Sequence, residues 1–452
     1  MPKDRDQPRR SSGHRGTQLT VEREPVVLVG GYLAGELAPG EEPLEELGRL
    51  AETAGARVVG KVVQNLRGVH PGTYVGSGKA AEIRDLARAS GASGVLFDHD
   101  LTPSQGRNLD ETIGIKVLDR TDVILDIFAS RARTRMAKVQ VNLAVFEYRL
   151  PRLRRMWTHL EKQEGGIGMR GGAGERQIET DRRMLGKQIR DLKRELAEIQ
   201  ARKERMVRQR AGEHFLVSLV GYTNAGKSTL MRALTGEDVA IHDQLFVTLD
   251  TRTAALKLGG GLQALLSDTV GFIRRLPHHL VASFHATLEE ARAADLLLHV
   301  VDVSSPVVQE QMAAVDDVLK RVGCGEKPVL VVFNKADKLD PSRDLEQQLL
   351  AREYPDSVTI SALTGEGLDG LRARILARAR ACAKPMTVEV FAGDGKALAF
   401  LATHFFEESR ETDGDRITLR GRATEPVLER LRSFGETVKI REDADKQAGA
   451  SW

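Results

Sequence analysis

At 452 residues, with 41% hydrophobic and 29% charged side chains, the chain has room for about three domains with substantial cores and an ordinary globular composition. Its two cysteines exclude a disulfide framework and point to a reducing cytosol, and no run of 18 uninterrupted apolar residues suggests a membrane-spanning helix. The formal charge of +3 conceals an asymmetry: residues 131–210 hold 22 Lys and Arg against 10 Asp and Glu, a net of +12 there and −9 elsewhere, which is an electrostatic footprint for phosphate backbones.

Residues 1–24 carry Lys3, Arg5, Arg9, Arg10 and Arg15 among Ser, Gly, Gln and Pro, without the apolar core of a signal peptide, and read as a disordered basic tail. From 25 to 135, short apolar runs alternate with helical stretches. The expected strands are Val26–Val29, Val58–Val63, Gly94–Phe97 and Ile115–Leu118; the expected helices are Pro43–Thr53, Lys79–Ala89, Pro103–Thr112 and Asp122–Ala129. This alternation predicts a small α/β subdomain with a largely parallel sheet, and Thr102-Pro103 has the form of a helix start. Gly76-Ser-Gly78-Lys79 lacks the first glycine of a phosphate loop and reads as a helix-start turn.

Residues 136–210 carry two heptad seams. The first runs Val139, Leu143, Phe146, Leu150, Leu153, Trp157 and Leu160, with a kink expected at Pro151; the second runs Leu185, Ile189, Leu192, Leu196 and Ile199, with Met206 one heptad further. Two seams joined by a turn predict a projecting antiparallel helical hairpin, with arms of about 25 residues. Its tip, 165–177, holds six glycines in ten residues, which cannot sustain a helix and leave the backbone free to approach a partner. Arg152, Arg154, Arg155, Arg170 and Arg176 are the candidate RNA contacts, with Ile167 and Met169 able to lie against bases or ribose.

The segment 211–383 alternates strand, helix and loop. Gly221, Tyr222, Thr223, Asn224, Ala225, Gly226, Lys227 and Ser228 form a complete G-x-x-x-x-G-K-[ST] phosphate loop, preceded by the apolar run Phe215–Val220 and followed, from Thr229, by a helical pattern. Consecutive loop amides and the positive end of the helix make an anion site; Lys227 reaches the outer phosphates and the Ser228 hydroxyl is suited to Mg²⁺. Asp268, Thr269, Val270 and Gly271 end the strand expected at Leu262–Ser267, where Asp268 supplies a carboxylate to the Mg²⁺ shell, through water, and a backbone N–H reaches the γ-phosphate. Asn334, Lys335, Ala336 and Asp337 follow the run Pro328–Phe333. The Asp337 carboxylate can accept from both N1–H and N2–H₂ of guanine, a donor pair adenine lacks. Ser361, Ala362 and Leu363 end the strand Val358–Ile360, where loop amides meet the guanine carbonyl. The first switch is expected within Asp243–Thr253, covering Phe246, Val247, Thr248, Leu249 and Asp250, and spacing alone leaves Thr248 and Thr251 both open as Mg²⁺ ligand. Phe272 stands where many GTPases carry a water-orienting glutamine, so no catalytic group is assigned and slow unaided hydrolysis is expected. Arg274, Arg275, His278 and His279 nearby are expected to meet a partner or solvent.

From 384 to 445 the pattern is strand (Met386–Phe391), helix (Lys396–Thr403), strand (Phe405–Glu411), strand (Arg416–Gly421), helix (Glu425–Phe434) and strand (Thr437–Arg441), the order of a ferredoxin-like α+β module, with a tail at 446–452.

The chain resembles the HflX family of ribosome-associated GTPases. The resemblance rests on Gly72-Thr-Tyr-Val-Gly-Ser-Gly-Lys79, Phe97-Asp-His-Asp-Leu-Thr-Pro-Ser-Gln-Gly-Arg-Asn-Leu109, Val117-Leu-Asp-Arg-Thr121, Gly165-Gly-Ile-Gly168, Asp181-Arg-Arg183, Gly221–Leu230, Asp243-Gln-Leu-Phe246 and Asp268-Thr-Val-Gly-Phe-Ile-Arg274, and spans about Val26 to Leu371. It implies a cytoplasmic, partly ribosome-associated GTPase that binds GTP and GDP with Mg²⁺ and engages the large ribosomal subunit and its RNA through the basic hairpin. It further implies splitting or rescue of stalled ribosomes, with a part in ribosome biogenesis, favours Thr248 as the switch ligand, and is compatible with a monomer off the ribosome. Two segments depart from the family pattern: Asp250-Thr-Arg-Thr253 replaces Asp-Pro-Thr-Thr, and Arg170-Gly-Gly-Ala-Gly-Glu175 replaces Arg-Gly-Pro-Gly-Glu. Without that proline the chain after the switch has more free states. The competing readings are an ATP- or GTP-driven RNA remodeller, separable by nucleotide competition, and a GTP-sensing RNA clamp that scarcely hydrolyses.

Overall fold

The computed structural model describes residues 24–37, 40–153, 173–211, 214–237, 245–246, 251–259, 262–274, 288–339 and 344–443. Among these, three sheets organise the chain.

The first sheet has the order β2-β1-β3-β4, from β1 (Glu24–Leu33), β2 (Ala56–Leu66), β3 (Gly94–Phe97) and β4 (Lys116–Asp119), all parallel. Alternation along β1 decides its two faces. Val26 and Leu28 pack with α1 (Glu45–Thr53) and α4 (Arg120–Arg131), whereas Val27 and Val29 pack with α2 (Ser77–Ala89) and α3 (Pro103–Ile113). The helix start foreseen at Thr102 is a reciprocal capping box: the Gln105 amide donates to Thr102 Oγ1 at 3.2 Å and the Thr102 amide to Gln105 Oε1 at 2.9 Å. Asp119 caps α4 through the Asp122 amide in the same way.

Next come α5 (Arg135–Arg149) and α6 (Ala173–Ala211), which pack along the anticipated seams: Val139, Leu143, Phe146 and Leu150 meet Ile189, Leu192, Leu196 and Ile199. Two details differ from the sequence reading. α5 ends at Arg149 and the chain passes through a 3₁₀ turn at Leu150–Arg152, where Pro151 has no amide to continue the ladder, and the backbone is right-handed helical again at Leu153. α6 is 39 residues long, roughly 58 Å at 1.5 Å per residue. Its seam ends at Ile199, since Met206 is exposed and Val207 takes the buried position beside it. Residues 154–172, which hold Leu160 and most of the glycine tip, lie outside the described residues.

The second sheet has the order β10-β9-β8-β5-β7-β6, built from β5 (Phe215–Gly221), β6 (Arg252–Gly259), β7 (Leu262–Asp268), β8 (Leu296–Asp302), β9 (Val329–Asn334) and β10 (Val358–Thr359). Within this sheet only the β6–β7 pairing is antiparallel among the described strands. Between these strands run α7 (Lys227–Thr235), α8 (Glu289–Ala293), α9 (Val308–Arg321) and α10 (Asp344–Glu353), and α11 (Leu368–Ala381) follows β10. A third, antiparallel sheet has the order β12-β13-β11-β14, from β11 (Lys384–Phe391), β12 (Phe406–Asp413), β13 (Arg416–Ala423) and β14 (Val438–Glu442). It shares one core with α12 (Gly395–His404) and α13 (Glu425–Arg432).

The largest apolar cluster crosses between the first two sheets. It joins Leu28, Leu47, Leu50 and Phe128 to Tyr222, Phe246, Val270, Phe272 and Ile273. No helix among the described residues is long and apolar enough to cross a membrane.

Candidate nucleotide site

β5 is buried along its whole length and delivers the chain to the phosphate loop between β7 and β8. Backbone conformation there explains the glycines. Gly221 has φ 147°, and a Cβ on it would lie 2.2 Å from the Val300 carbonyl oxygen; Gly226 has φ 93°, and a Cβ would lie 2.3 Å from Asn334 Nδ2. Asn224 takes a left-handed φ of 60°, which asparagine tolerates better than most residues. α7 begins at Lys227, so its first amides and positive dipole end face the loop. Lys227 folds back across it, Nζ donating to the Gly221 oxygen at 3.0 Å and the Tyr222 oxygen at 2.8 Å. Burial pushes the Lys227 ammonium down to about 8; Asp268 works against that shift and Lys335 adds to it.

At the end of β7, the Ser228 hydroxyl donates to Asp268 Oδ2 at 2.7 Å, placing hydroxyl and carboxylate side by side at the mouth of the loop. Thr269 Oγ1 donates to the Leu219 carbonyl at 2.7 Å. Beyond it the chain lies directly against the loop: the Phe272 amide donates to the Gly221 oxygen at 3.1 Å, and the Thr223 amide to the Phe272 oxygen at 2.6 Å. Gly271 is forced by this closeness, since a Cβ would sit 2.8 Å from Thr223 Cα. The Phe272 side chain is 2% exposed and belongs to the core cluster, a place from which it orients no water. Of the segment expected to hold the first switch, Leu245, Phe246 and residues 251–253 are described: the Phe246 amide donates to Thr223 Oγ1 at 3.1 Å, and its ring meets Phe128 of α4 edge-on with centroids 4.6 Å apart. Val247, Thr248, Leu249 and Asp250 lie outside the described residues.

The third and fourth motifs converge on the same loop. Asn334 donates from Nδ2 to the Ala225 oxygen at 2.8 Å and accepts the Ala362 amide on Oδ1 at 2.9 Å, so one buried side chain ties both loops together. Lys335, with φ 66°, pairs with Asp302 at 2.7 Å. The Ala336 amide donates to the Ile360 oxygen at 3.1 Å, and Ser361 Oγ donates to Asp337 Oδ1 at 2.5 Å, orienting that carboxylate. Leu363 is 72% exposed at the lip.

Several residues at this site carried no local signal. The Tyr222 hydroxyl donates to Glu46 of α1 and accepts the Arg274 amide at 2.8 Å; burial first, then Glu46, push its pKa well up, so it stays protonated. Arg274, expected to face a partner or solvent, instead pairs with Glu41, and its carbonyl accepts from Arg120 at 3.3 Å. Lys203 of α6 donates at 2.9 Å to Oγ1 of Thr251, one of the two threonines left open as switch ligand. Asp98 and Arg120 fall within the segments that carried the family resemblance, but neither showed its role. Arg152 departs from its expected place as an RNA contact. Its guanidinium lies 3.6 Å over the Tyr148 ring and donates to the Leu101 oxygen at 2.7 Å, because α5 ends just before it and turns it inward. Arg154, Arg155, Arg170, Arg275, His278 and His279 lie outside the described residues, as does the Arg176 side chain.

Three family models match successive segments of the chain. Residues 41–129 match the family described as "GTP-binding GTPase N-terminal", 131–210 "GTP-binding GTPase Middle Region", and 216–335 "50S ribosome-binding GTPase". The protein named "GTPase HflX" of Lacrimispora saccharolytica is 46% identical over 358 residues, covering 78% of this chain and 82% of its own. This chain belongs to the HflX family. The Escherichia coli K12 protein of that name is also 46% identical, over 73% of this chain and 77% of its own. Among solved structures, a GTP-binding protein from Sulfolobus solfataricus in complex with GDP aligns with 25% identity and a TM-score of 0.41, covering 78% of this chain and 98% of that one. As an HflX-family member the chain is a GTPase.

Proposed function

We propose that this HflX-family GTPase is a switch that binds the large ribosomal subunit through its basic arm and promotes splitting or rescue of stalled ribosomes. The observation that carries this reading is a physical link between arm and switch: α6, within the segment of net charge +12, contacts the expected switch segment through Lys203–Thr251 at 2.9 Å, one residue before β6. Arg210 reaches Thr253 of the same strand at 3.5 Å, and both basic residues flank the buried Glu290 of α8. A change at the nucleotide is thereby felt at the base of the arm.

In this reading the units are an N-terminal α/β subdomain (25–135), a basic hairpin (136–210), a GTPase domain (211–383) and a ferredoxin-like module (384–445). The strand order of the third sheet, with one helix after its first strand and one after its third, supports the last assignment. The phosphate loop and Lys227 take the phosphates. Asp337, oriented by Ser361, takes the guanine edge, and the Ala362 amide, fixed by Asn334, lines the base loop. The adjacent Ser228 hydroxyl and Asp268 carboxylate are hard oxygen donors that fit Mg²⁺, with Thr248 the expected third contributor and Asp268 acting through water. Bound there, Mg²⁺ would neutralise charge on the β- and γ-phosphates. Arg154, Arg155, Arg170 and Arg176 remain the phosphate-contacting candidates. Localisation with ribosomes in the cytoplasm and a monomeric free state complete the reading.

The burial of Phe272 makes slow unaided hydrolysis the expectation, with a ribosomal group or switch movement completing the site. Steady-state GTP hydrolysis, measured with and without large ribosomal subunits, tests this. Strong stimulation is expected. GTP binding without stimulation would favour instead a GTP-sensing RNA clamp, the reading that the buried Phe272 most nearly supports.

A further inference from the structure

We propose that Glu46 and Tyr222 are positioning residues for GTP hydrolysis: from α1, outside the GTPase sheet, Glu46 fixes the Tyr222 hydroxyl, and that hydroxyl holds the segment Asp268–Arg274 against the phosphate loop through the Arg274 amide. Tyr222 is the second residue of the phosphate loop and is 7% exposed. A phenol has one proton to give. Donating it to Glu46 leaves the oxygen as acceptor for the Arg274 amide, so each contact enforces the other.

Glu46 is itself held. It pairs with Arg120, which is 3% exposed and also bonds Asp98 at 2.7 Å; the second oxygen of Asp98 accepts the Tyr32 hydroxyl at 2.8 Å. Arg274 is engaged three times, by its amide to Tyr222, its carbonyl to Arg120 and its guanidinium to Glu41. The turn leading into α1 places both glutamates, with Leu44 in a left-handed conformation at φ 65°. Charge-assisted bonds to the buried Arg120 are strong and directional.

The consequence reaches the reacting phosphate through two residues of chain. Arg274 lies two positions beyond Phe272, which is paired to Gly221 and Thr223, and three beyond Gly271, the end of the Asp268–Gly271 segment from which a backbone N–H is expected to reach the γ-phosphate. Small losses of registration at such a donor cost rate rather than ground-state affinity. This device acts within the free protein, so it stands or falls independently of the ribosomal reading.

Single-turnover hydrolysis and GDP affinity, measured without ribosomes, test the proposal in Tyr222→Phe, Glu46→Ala, Glu46→Gln and the Tyr222→Phe/Glu46→Ala double variant. The expected result is a fall in rate of about tenfold for Tyr222→Phe and Glu46→Ala, with GDP affinity within about twofold of the parent. Glu46→Gln, which keeps an acceptor oxygen, should recover most of the rate, and the double variant should be no slower than either single one. Unchanged rates, a parallel loss of GDP affinity, or losses that multiply to about a hundredfold in the double variant would each overturn it. Should Glu46→Ala fail to fold, Tyr222→Phe, which removes one oxygen, decides by the same rate and affinity criteria.

Discussion

Among the described residues no carboxylate bonds Lys227; its ammonium donates to two carbonyls of its own loop. Its pKa of about 8 against an ordinary 10.5 means that between those values the unfolded chain holds a proton the folded chain lacks. This group's contribution to stability therefore rises with pH across that window, and below about pH 8 its burial penalty is present in full. Nucleotide phosphates reverse the shift. GDP binding should take up a proton as the pH approaches 9 and weaken by about tenfold between pH 7 and 9, as calorimetry in buffers of different ionisation enthalpy would record; proton release would contradict the role given to Lys227. Asp337→Asn should lower GTP affinity by at least ~100-fold and favour a xanthine nucleotide, while equal selectivity would move base recognition elsewhere. These residues were legible in the sequence because each motif is a contiguous string at a strand end. Glu46, Asp98 and Arg120 were not, since Tyr222 meets Glu46 176 positions away and Arg274 meets Glu41 across 233, and no local spacing encodes such a pairing.

Helices and strands followed their periodicities closely wherever an amphipathic stripe or a buried run set them. β3 spans the very residues expected of it, and the seam of α5 and α6 joins the apolar positions read as heptads. What the pattern missed was where those elements stop. α5 ends at Arg149, ahead of Pro151, which has no amide to continue the ladder, and α6 starts at Ala173, inside the stretch read as a glycine tip, since only Gly174 of its six glycines falls within the helix. The α5–α6 seam is a satellite core with few other supports. Leu196→Ala, at a 6% exposed position, should cost about 2–3 kcal/mol, toward the low end for leucine truncations because the site is small. Hydrogen exchange should localise the loss to α5 and α6 and leave β5 protected; uniform loss over all three sheets would mean the arm is no separate unit.

At the scale of the whole molecule, deletion of residues 165–174 should leave GDP affinity unchanged while abolishing co-sedimentation with large ribosomal subunits; undiminished co-sedimentation would sink the arm as the ribosomal contact. The core cluster that joins the first two sheets adds something different. Phe246 and Phe272, both 2% exposed, come from the segments proposed to respond to the nucleotide, yet their rings fill a space shared with Leu28, Leu47 and Phe128. Withdrawing two such side chains from that core would forfeit about 3–6 kcal/mol, a sizeable part of the 5–15 kcal/mol that holds a typical domain together. On that proposal the guanine nucleotide is expected to act in part as mortar. With a triphosphate analogue bound, the two sheets should melt as one block; with the nucleotide stripped away they should part into separate thermal transitions, so that a scanning calorimeter would read the γ-phosphate as cohesion.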